Sequence, residues 1–328
     1  MHHRRLGSVA SVSEVGYGAW QIGGDWGTVT REAAVAAVEA ARDAGIDFFD
    51  TADVYGDGRS ERIVGDVLAE EIRRGAVTVA TKAGRRLDPH ETEGYTEANL
   101  RQFVDRSREN LGMETLDLLQ LHCPPTDVYY RPETFDALEE LVAEGRIDAY
   151  GASVERVEEG LKTIEYPGVE SVQVIFNPFR QRPAEHLLER AAEADVGVIV
   201  RVPLASGLLT GSLSADVEFP ESDHRNFNRN GEAFDVGETF AGVPYDVGLD
   251  AVAALEDHVP DRLTTASFTL RWILDHDAVT TVIPGSTTPE HVRANAATSE
   301  ADPLADDAHD AVKRVYDEHV SDHVHHRW

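Results

Sequence analysis

Short apolar segments alternate with amphipathic helical segments along most of this chain, and this alternation limits the folds available to it. At least one predicted helix lies between any two consecutive apolar segments; residues 60–73 and Glu97–Leu111 are examples. Strict βα alternation predicts a parallel sheet, because parallel neighbours need a crossover connection that is usually helical. The predicted strands span residues 15–18, 46–50, 77–81, 116–121, 147–151, 171–176, 196–200 and 279–283.

Eight βα units favour a closed (β/α)8 TIM barrel over an open, doubly wound sheet. A Rossmann-type sheet should carry Gly-x-Gly-x-x-Gly directly after its first strand. Gly23, Gly24 and Gly27 do not have that spacing, and no other part of the sequence has it. We therefore expect a single barrel domain over residues 1–328, in which residues 300–328 form a C-terminal helix and tail.

One long connection, residues 212–246 after the seventh predicted strand, interrupts the alternation. Long connections without secondary structure are uncommon in compact domains, and many of them act as lids. The simpler alternative is a disordered insertion. Aromatic residues and arginines in the segment, including Arg225, Phe227 and Phe240, favour an ordered flap that closes over the barrel.

The chain is strongly acidic. It has 60 acidic and 30 basic residues and a formal net charge of −30, and its only lysines are Lys82, Lys162 and Lys313. This charge argues against nucleic acid and against an anionic membrane surface as partners. A carboxylate-rich surface with few lysines is typical of proteins adapted to high salt, where ions screen the self-repulsion. We therefore expect a halophilic protein with an acidic surface.

Cysteine usage and hydropathy indicate the compartment. Cys123 is the only cysteine, so no intramolecular disulfide can form, and this suits a reducing interior. No apolar run approaches the length of a membrane span, and no apolar segment of a secretory signal follows Met1. These features predict a cytoplasmic location.

Four ionisable residues lie at or just after three successive predicted strands. Asp50 and Tyr55 follow the second strand, Lys82 follows the third and His122 follows the fourth. The carboxyl ends of barrel strands meet on one face, so these side chains should converge. Each has a simpler explanation alone: a Lys–Asp pair is often structural, and a single His is more often a satisfied core residue.

Together the four residues suit proton donation to an oxygen. The pKa of a tyrosine is normally near ~10, and an adjacent cation stabilises the phenolate and lowers it. Lys82, held by Asp50, is expected to have this effect on Tyr55, and His122 could bind a carbonyl oxygen. No nucleophile–base pair is evident, because Cys123 has no activating partner in the sequence. We predict no metal site, since Asp50 and His122 lack further clustered ligands.

The motifs around these residues resemble the aldo-keto reductase superfamily. They are Asp50-Thr51-Ala52-x-x-Tyr55-Gly56 with Ser60-Glu61, then Thr81-Lys82, then Leu119-Gln120-Leu121-His122, in the family's order. The resemblance implies a (β/α)8 barrel, usually monomeric, that binds a nicotinamide dinucleotide and transfers a hydride between it and an aldehyde, ketone or sugar. It also implies Tyr55 as general acid, tuned by Lys82 and Asp50, with His122 orienting the carbonyl.

The resemblance also implies the cofactor-binding residues. Ser153 and Gln173 match the pair that binds the carboxamide, and Arg201 replaces an aromatic residue that stacks on nicotinamide. The segment from Pro203 to Leu208 resembles the pyrophosphate-binding loop. The full predicted set is Gly18, Ala19, Trp20, Asp50, Ser153, Gln173, Arg201, Pro203, Leu204, Ser206, Gly207, Leu208, Gly285, Ser286, Thr287, His291 and Asn295.

Cofactor preference and substrate are less constrained. Many relatives place Lys or Arg where this chain has Gly285, Ser286, Thr287 and His291, so the basic clamp for the 2′-phosphate of NADP is incomplete. The resemblance favours NADP(H), with NAD(H) or dual use as the alternative. Aromatic residues predicted at the pocket, such as Trp20 and Trp26, suit apolar carbonyls and sugars alike. A nicotinamide-binding regulatory or sensor protein with slow turnover is the alternative function.

Overall fold

Ten strands and fourteen α-helices make up the fold in a computed structural model, which describes residues 1–24 and 26–328. The strands are β1 His3–Leu6, β2 Ala10–Ser13, β3 Tyr17–Gly18, β4 Phe48–Asp50, β5 Thr78–Ala83, β6 Leu118–His122, β7 Tyr150–Ser153, β8 Val169–Ile175, β9 Gly197–Arg201 and β10 Val279–Val282. The helices are α1 Trp20–Gly23, α2 Arg31–Asp43, α3 Arg59–Val67, α4 Ala69–Arg73, α5 Glu97–Leu111, α6 Pro132–Ala143, α7 Val157–Ile164, α8 Pro183–Glu193, α9 His224–Phe227, α10 Tyr245–Glu256, α11 Thr265–Leu274, α12 Pro289–Ala297, α13 Asp306–Val315 and α14 Ser321–Val324.

Strands β3 to β10 form one sheet in chain order, and every pairing is parallel. The two ends of the sheet meet where Val15 pairs with Val282 in a parallel bridge. There the Gly16 amide donates to the Val282 carbonyl at 2.8 Å, and the Val282 amide donates to the Glu14 carbonyl at 3.0 Å. The prediction of a (β/α)8 barrel is therefore confirmed, and the Rossmann-type alternative is wrong.

Local sequence signals explain where several helices begin and end. The Thr30 side chain accepts a hydrogen bond from the Ala33 amide at the start of α2, and Thr96 caps α5 in the same way through Asn99. Helix α5 ends at Gly112, whose φ of 67° is favourable for a residue without a side chain. The two threonine caps and the glycine place both helices where the sequence predicts them.

Other elements differ from the sequence prediction. The helix predicted over residues 60–73 is broken at Leu68 into α3 and α4, because Leu68 departs from helical geometry. The hairpin of β1 and β2 was not predicted at all. Residues 212–246 contain α9, two 3₁₀ turns and the start of α10, so the segment is ordered as predicted and only its short helical turns were not foreseen.

The hairpin closes the amino-terminal end of the barrel. Its Leu6 and Val12 pack with apolar side chains that point into the barrel, and these form a small core separate from the one between strands and helices. The inward-facing partners are Phe48, Ala80, Leu118, Ala149, Ile199 and Ile283. This end of the barrel is therefore filled with apolar side chains, and Asp50 and Lys82 lie further along the same strands than Phe48 and Ala80. Among the described residues, no helix combines the length and apolar character needed to cross a bilayer.

Candidate active site

The polar groups inside the barrel lie one layer above its apolar plug. Side chains two residues apart on a strand share a face, so Asp50 follows Phe48 inward and Lys82 follows Ala80. The strand register places Lys82 opposite Gln120. The barrel geometry therefore brings the polar residues of successive strands to one level.

Lys82 is the centre of this layer. Its side chain is only 1% exposed, and Nζ forms an ion pair with Oδ1 of Asp50. Nζ also donates to the Thr51 carbonyl at 2.8 Å and to the Tyr55 hydroxyl at 3.4 Å. The ammonium lies 5.0 Å from the Tyr55 ring centroid. Lys82 thus connects a buried carboxylate to the phenol, as the sequence predicts.

The second oxygen of Asp50 is held by two glutamines. Oδ2 accepts from Nε2 of Gln173 at 2.7 Å and from Nε2 of Gln120 at 3.1 Å. Nε2 of Gln173 also donates to Oε1 of Gln120 at 3.3 Å. We call Asp50, Lys82, Gln120 and Gln173 the strand-built cluster, since they come from β4, β5, β6 and β8. Gln120 was not predicted as a site residue, although its spacing of two from His122 places both on one face of β6.

Protonation in the cluster follows from burial and charge. Burial opposes a charge on Lys82, but Asp50 and Tyr55 outweigh it and raise the pKa of the ammonium. Burial also raises the pKa of Tyr55, and the nearby Lys82 lowers it only in part. The expectation that the pKa of Tyr55 falls below its usual value is therefore wrong: desolvation of the phenolate exceeds its attraction to Lys82. Tyr55 is protonated at neutral pH.

His122 stands beside the phenol with its ring edge-on. The two ring centroids are 5.7 Å apart at an interplanar angle of 86°. Burial lowers the pKa of His122 well below its ordinary value, and Arg85, Lys82 and Arg201 lower it further. The imidazole is therefore neutral. Its Nδ1 is buried and has no hydrogen-bond partner among the described residues, and His122 lines neither of the two cavities described below but stands directly behind Tyr55.

Two cavities meet at Tyr55. One, of about 570 Å³, runs from Gly18 and Gln173 to Asn295, and we call it the cofactor cleft. The other, of about 520 Å³, is lined by loop residues, and we call it the substrate pocket. Trp20, Tyr55 and Glu238 line both cavities. The phenol is therefore placed between two spaces large enough for separate ligands.

Most of the predicted cofactor residues line the cofactor cleft. They are Gly18, Trp20, Asp50, Gln173, Arg201, Pro203, Leu204, Ser206, Gly207, Gly285, Ser286, Thr287, His291 and Asn295. Ala19, Ser153 and Leu208 do not line it, because they are buried behind it. The Ser153 hydroxyl instead reaches Oε1 of Gln173 at 3.5 Å, so it can orient that amide from behind.

The segment after β9 has an unusual backbone. Val202, Ala205 and Ser206 have φ of 50°, 46° and 54°, and Gly207 has φ of 101°. Positive φ is unfavourable for residues with side chains, and strained turns of this kind cluster at ligand sites, where their amides can bind anions. Arg225 lines the cleft near Gly207. A backbone concavity with an arginine beside it fits a pyrophosphate group.

The end of the cofactor cleft that is lined by His291 and Asn295 offers little positive charge. His291 is exposed and lines it, whereas Arg293 does not line it and lies 3.9 Å from a carboxylate oxygen of Glu290. Gly18 has no room for a side chain, because a Cβ there would lie 2.6 Å from the Ile283 carbonyl oxygen. The cleft therefore fits a dinucleotide, with a weak site for a phosphate on its adenosine ribose.

Charged residues form one side of the substrate pocket. Glu238 pairs with Arg85 at 3.1 Å and with Arg201 at 2.9 Å, and Arg85 also lies 3.4 Å from Glu155. We call Arg85, Glu155 and Glu238 the substrate wall. Burial, Asp235 and Glu238 raise the pKa of Glu155 to about 7, against the opposing charge of Arg85. The sequence gives no signal for Glu155 or Glu238, since neither belongs to a recognisable motif.

Cys123, Glu155 and Glu238 could in principle share a metal ion, because their ligand atoms lie within 4.8 Å of one another. Arg85 and Arg201 already neutralise the carboxylates. Burial also raises the pKa of Cys123, which keeps the thiol protonated. We therefore assign no metal to this group.

Two tryptophans were predicted at the substrate pocket. Trp20 lines it, and Trp26 lines the cofactor cleft instead.

Comparison with known proteins gives consistent matches over nearly the whole chain. A sequence model of the aldo/keto reductase family matches residues 14–317. The chain is 31% identical over 312 residues to the uncharacterized oxidoreductase YqkF of Bacillus subtilis, and the match covers 94% of each protein.

Two solved structures have a similar fold. The holo form of aldo-keto reductase AKR11C1 from Bacillus halodurans has a TM-score of 0.77 at 27% identity, and the match covers 96% of each chain. The glycerol dehydrogenase AKR11B4 from Gluconobacter oxydans has a TM-score of 0.76 at 29% identity, covering 97% of this chain and 96% of that one.

Proposed function

The chain belongs to the aldo/keto reductase family and is an NAD(P)-dependent oxidoreductase that acts on carbonyl and alcohol groups; we propose that Tyr55 is its general acid and base. The observation that carries this proposal is the position of Lys82. Its Nζ bridges the buried Asp50 and the Tyr55 hydroxyl, at the point where the cofactor cleft and the substrate pocket meet. The nicotinamide, when bound, supplies or accepts the hydride.

Tyr55 has the proton that carbonyl reduction requires. As negative charge develops on the carbonyl oxygen, the protonated phenol donates to it, and the adjacent ammonium of Lys82 stabilises the phenolate that remains. Burial raises the pKa of Tyr55 in the free protein, so the phenol keeps its proton until the carbonyl oxygen accepts it. In the reverse direction the same phenolate accepts the proton of an alcohol.

His122 and Gln173 orient the two reactants. The neutral His122 imidazole lies edge-on to Tyr55 and can donate to the same carbonyl oxygen without repelling Lys82. Gln173 lines the cofactor cleft, and its amide is fixed by Asp50, Gln120 and Ser153. A fixed amide suits binding of the nicotinamide carboxamide, so that one face of the ring is presented to the substrate.

Activity is tested directly with the purified protein in high salt. Oxidation of NADPH and NADH is followed at the nicotinamide absorbance with a panel of aldehydes, ketones and aldoses, and the reverse reaction is followed with alcohols. We expect turnover with at least one carbonyl. Tight binding of either cofactor without turnover on any substrate would contradict the proposal and favour a nicotinamide sensor.

Cofactor preference depends on the adenosine end of the cleft. We propose NADP(H) as cofactor, with substantial use of NAD(H), because His291 is the basic side chain that lines this end among the described residues. His291→Arg should raise the ratio of kcat/KM for NADPH over NADH by about 10-fold or more, since a guanidinium binds phosphate through charge-assisted hydrogen bonds. An unchanged ratio would place the ribose phosphate elsewhere.

A further inference from the structure

The C-terminal residue Trp328 is buried against the long loop that carries part of the substrate pocket. Its side chain is only 4% exposed. Its indole Nε1 donates to the Asp235 carboxylate, at 3.1 Å to Oδ1 and 3.2 Å to Oδ2. Asp235 in turn accepts from the Gly237 amide at 2.7 Å. The indole therefore holds the turn that leads directly into Glu238.

A buried arginine lies on the face of the same indole. The Cζ atom of Arg180 is 3.7 Å from the Trp328 ring centroid, a close cation–π contact. Arg180 is only 4% exposed, and among the described residues it forms no ion pair, although the charge of Asp235 acts on it from a longer distance. Its Nη1 donates to the Ala241 carbonyl at 3.2 Å. Burying this charge is costly: burial lowers the pKa of Arg180, and the more distant Asp235 carboxylate, the π face and the Ala241 carbonyl offset the cost only in part.

The loop backbone is shaped to fit these two side chains. Gly242 has φ of 81° and packs directly on the indole, so that a Cβ there would overlap the ring. A Cβ at Gly237 would lie 2.9 Å from Nη1 of Arg180. Residues 235–242 are thus held by contacts from one arginine and one tryptophan, each outside the loop. We call Arg180 and Trp328 the clamp.

We propose that Trp328 is a positioning residue that sets the substrate wall by holding Asp235 and Glu238. Asp235 and Glu238 both line the substrate pocket, and the Glu238 carboxylate fixes Arg85. Trp328 itself lines neither cavity, so it acts through the loop and touches no reactant. This inference rests on the proposed function, because it assigns the pocket beside Tyr55 to a carbonyl substrate.

Two variants separate the contacts of Trp328. Trp328→Phe keeps an aromatic face for Arg180 and removes the N–H, whereas Trp328→Leu removes both. We expect the KM for the carbonyl to rise about 3- to 10-fold in the first variant and about 10- to 100-fold in the second. In both variants kcat should change less than about 3-fold and the Kd for NADPH less than about 2-fold, because the strand-built cluster is untouched.

Trp272→Phe is the matched control. Trp272 is also buried, but it packs on Phe176 and His276, away from residues 235–242. This variant should keep the wild-type KM. A wild-type KM in both Trp328 variants would overturn the proposal. So would a parallel loss of NADPH affinity and of thermal stability, because that result would mean a general structural role.

Hydrogen exchange separates failure of the clamp from failure of the proposed function. In Trp328→Leu, amides of residues 235–242 should exchange faster, while amides of β4 to β6 keep their protection. If the wild-type protein reduces no carbonyl, the proposed function fails and exchange alone decides on the clamp. Unchanged exchange over residues 235–242 would then overturn it.

Discussion

The two sides of Tyr55 are built from different parts of the fold. On one side, the strand-built cluster comes from the barrel strands β4, β5, β6 and β8, and hydrogen bonds connect all of its members. On the other side, the members of the substrate wall come from loops after β5, β7 and β9. The first is fixed by backbone pairing, and the second by ion pairs and by the clamp.

This difference separates chemistry from substrate selection. A strand cannot shift by one residue without turning its inward side chains outward, so the register holds Asp50, Lys82 and Gln120 in place. Loops carry no such constraint, and a change in one leaves the barrel intact. We therefore expect variants of the cluster to affect kcat most and variants of the wall to affect KM.

Tyr55→Phe should have the largest effect. The hydroxyl acts on the developing alkoxide, so kcat should fall by about 10²- to 10⁴-fold while NADPH affinity stays nearly unchanged. Steady-state kinetics and a fluorescence titration with NADPH measure the two quantities. Tyr166→Phe is the matched control, because that hydroxyl donates to the Tyr129 carbonyl at 3.0 Å outside both cavities. Wild-type turnover in Tyr55→Phe would remove Tyr55 as the acid.

Lys82→Met should affect both activity and stability. Removing one partner of a buried pair leaves Asp50 charged and uncompensated, which costs about 3–5 kcal/mol of folding free energy. The double variant Lys82→Met with Asp50→Asn should recover most of that stability without recovering kcat. Denaturant unfolding and steady-state kinetics distinguish the two effects. If turnover returned along with stability, Lys82 would be only a structural residue.

Glu155→Gln tests the substrate wall. The change keeps the shape of the side chain but takes from Arg85 one of its two carboxylate partners. Substrate KM should rise about 3- to 10-fold, with kcat and cofactor affinity nearly unchanged. Glu165→Gln, at an exposed position paired with Lys162, is the matched control. A fall in kcat larger than the rise in KM would contradict the division between cluster and wall.

Asp53→Asn should affect turnover least, because Asp53 lies in the turn after β4, outside both the strand-built cluster and the substrate wall, and it tests instead a pH-dependent cost of burial. Asp53 is fully buried, neither carboxylate oxygen has a partner among the described residues, and burial together with Glu61 raises its pKa to about 7. The unfolded chain ionises near pH ~4. Folding therefore takes up a proton between about pH 4 and 7, and wild-type stability falls as pH rises through that window.

The Asp53→Asn variant cannot ionise at this position, so its free energy of unfolding should increase relative to that of the wild type as pH rises. The gain from about pH 4 to pH 8 approaches about 4 kcal/mol, from three pKa units at about 1.4 kcal/mol each. Denaturant unfolding of both proteins at several pH values measures it. The cost of burying the new amide is the same at every pH, so it does not contribute to the change of the stability difference with pH. A stability difference independent of pH would show that Asp53 stays ionised in the fold.

The strand-built side could be predicted from the sequence, because its signals are local. Each polar residue stands at a fixed position of an apolar strand, and the barrel geometry brings strand ends together. Asp50, Lys82 and His122 were found in this way, and Gln120 could have been found from its spacing of two from His122. The direction of the pKa shift of Tyr55 could not, because it depends on how deeply the phenol is buried.

The substrate wall and the clamp could not be predicted, because their contacts join parts of the chain that are distant in sequence. Glu238 meets Arg85 across 153 residues of sequence, and Trp328 meets Asp235 across 93. No periodicity or motif relates such pairs. The plug formed by β1 and β2 was missed for a similar reason, since a short hairpin before the first barrel strand has no place in the βα alternation.

Transfer of deuterium tests the central claim most directly. The protein is mixed with a reactive carbonyl and with NADPH carrying deuterium on one or the other face of the nicotinamide C4, and the alcohol is analysed by mass spectrometry. We predict deuterium on the former carbonyl carbon from one face only, and a rate of transfer at least about 10²-fold lower with Tyr55→Phe although NADPH remains bound. Deuterium from both faces, or transfer at the wild-type rate by Tyr55→Phe, would contradict a site in which strand-borne residues fix the reactants and Tyr55 supplies the proton.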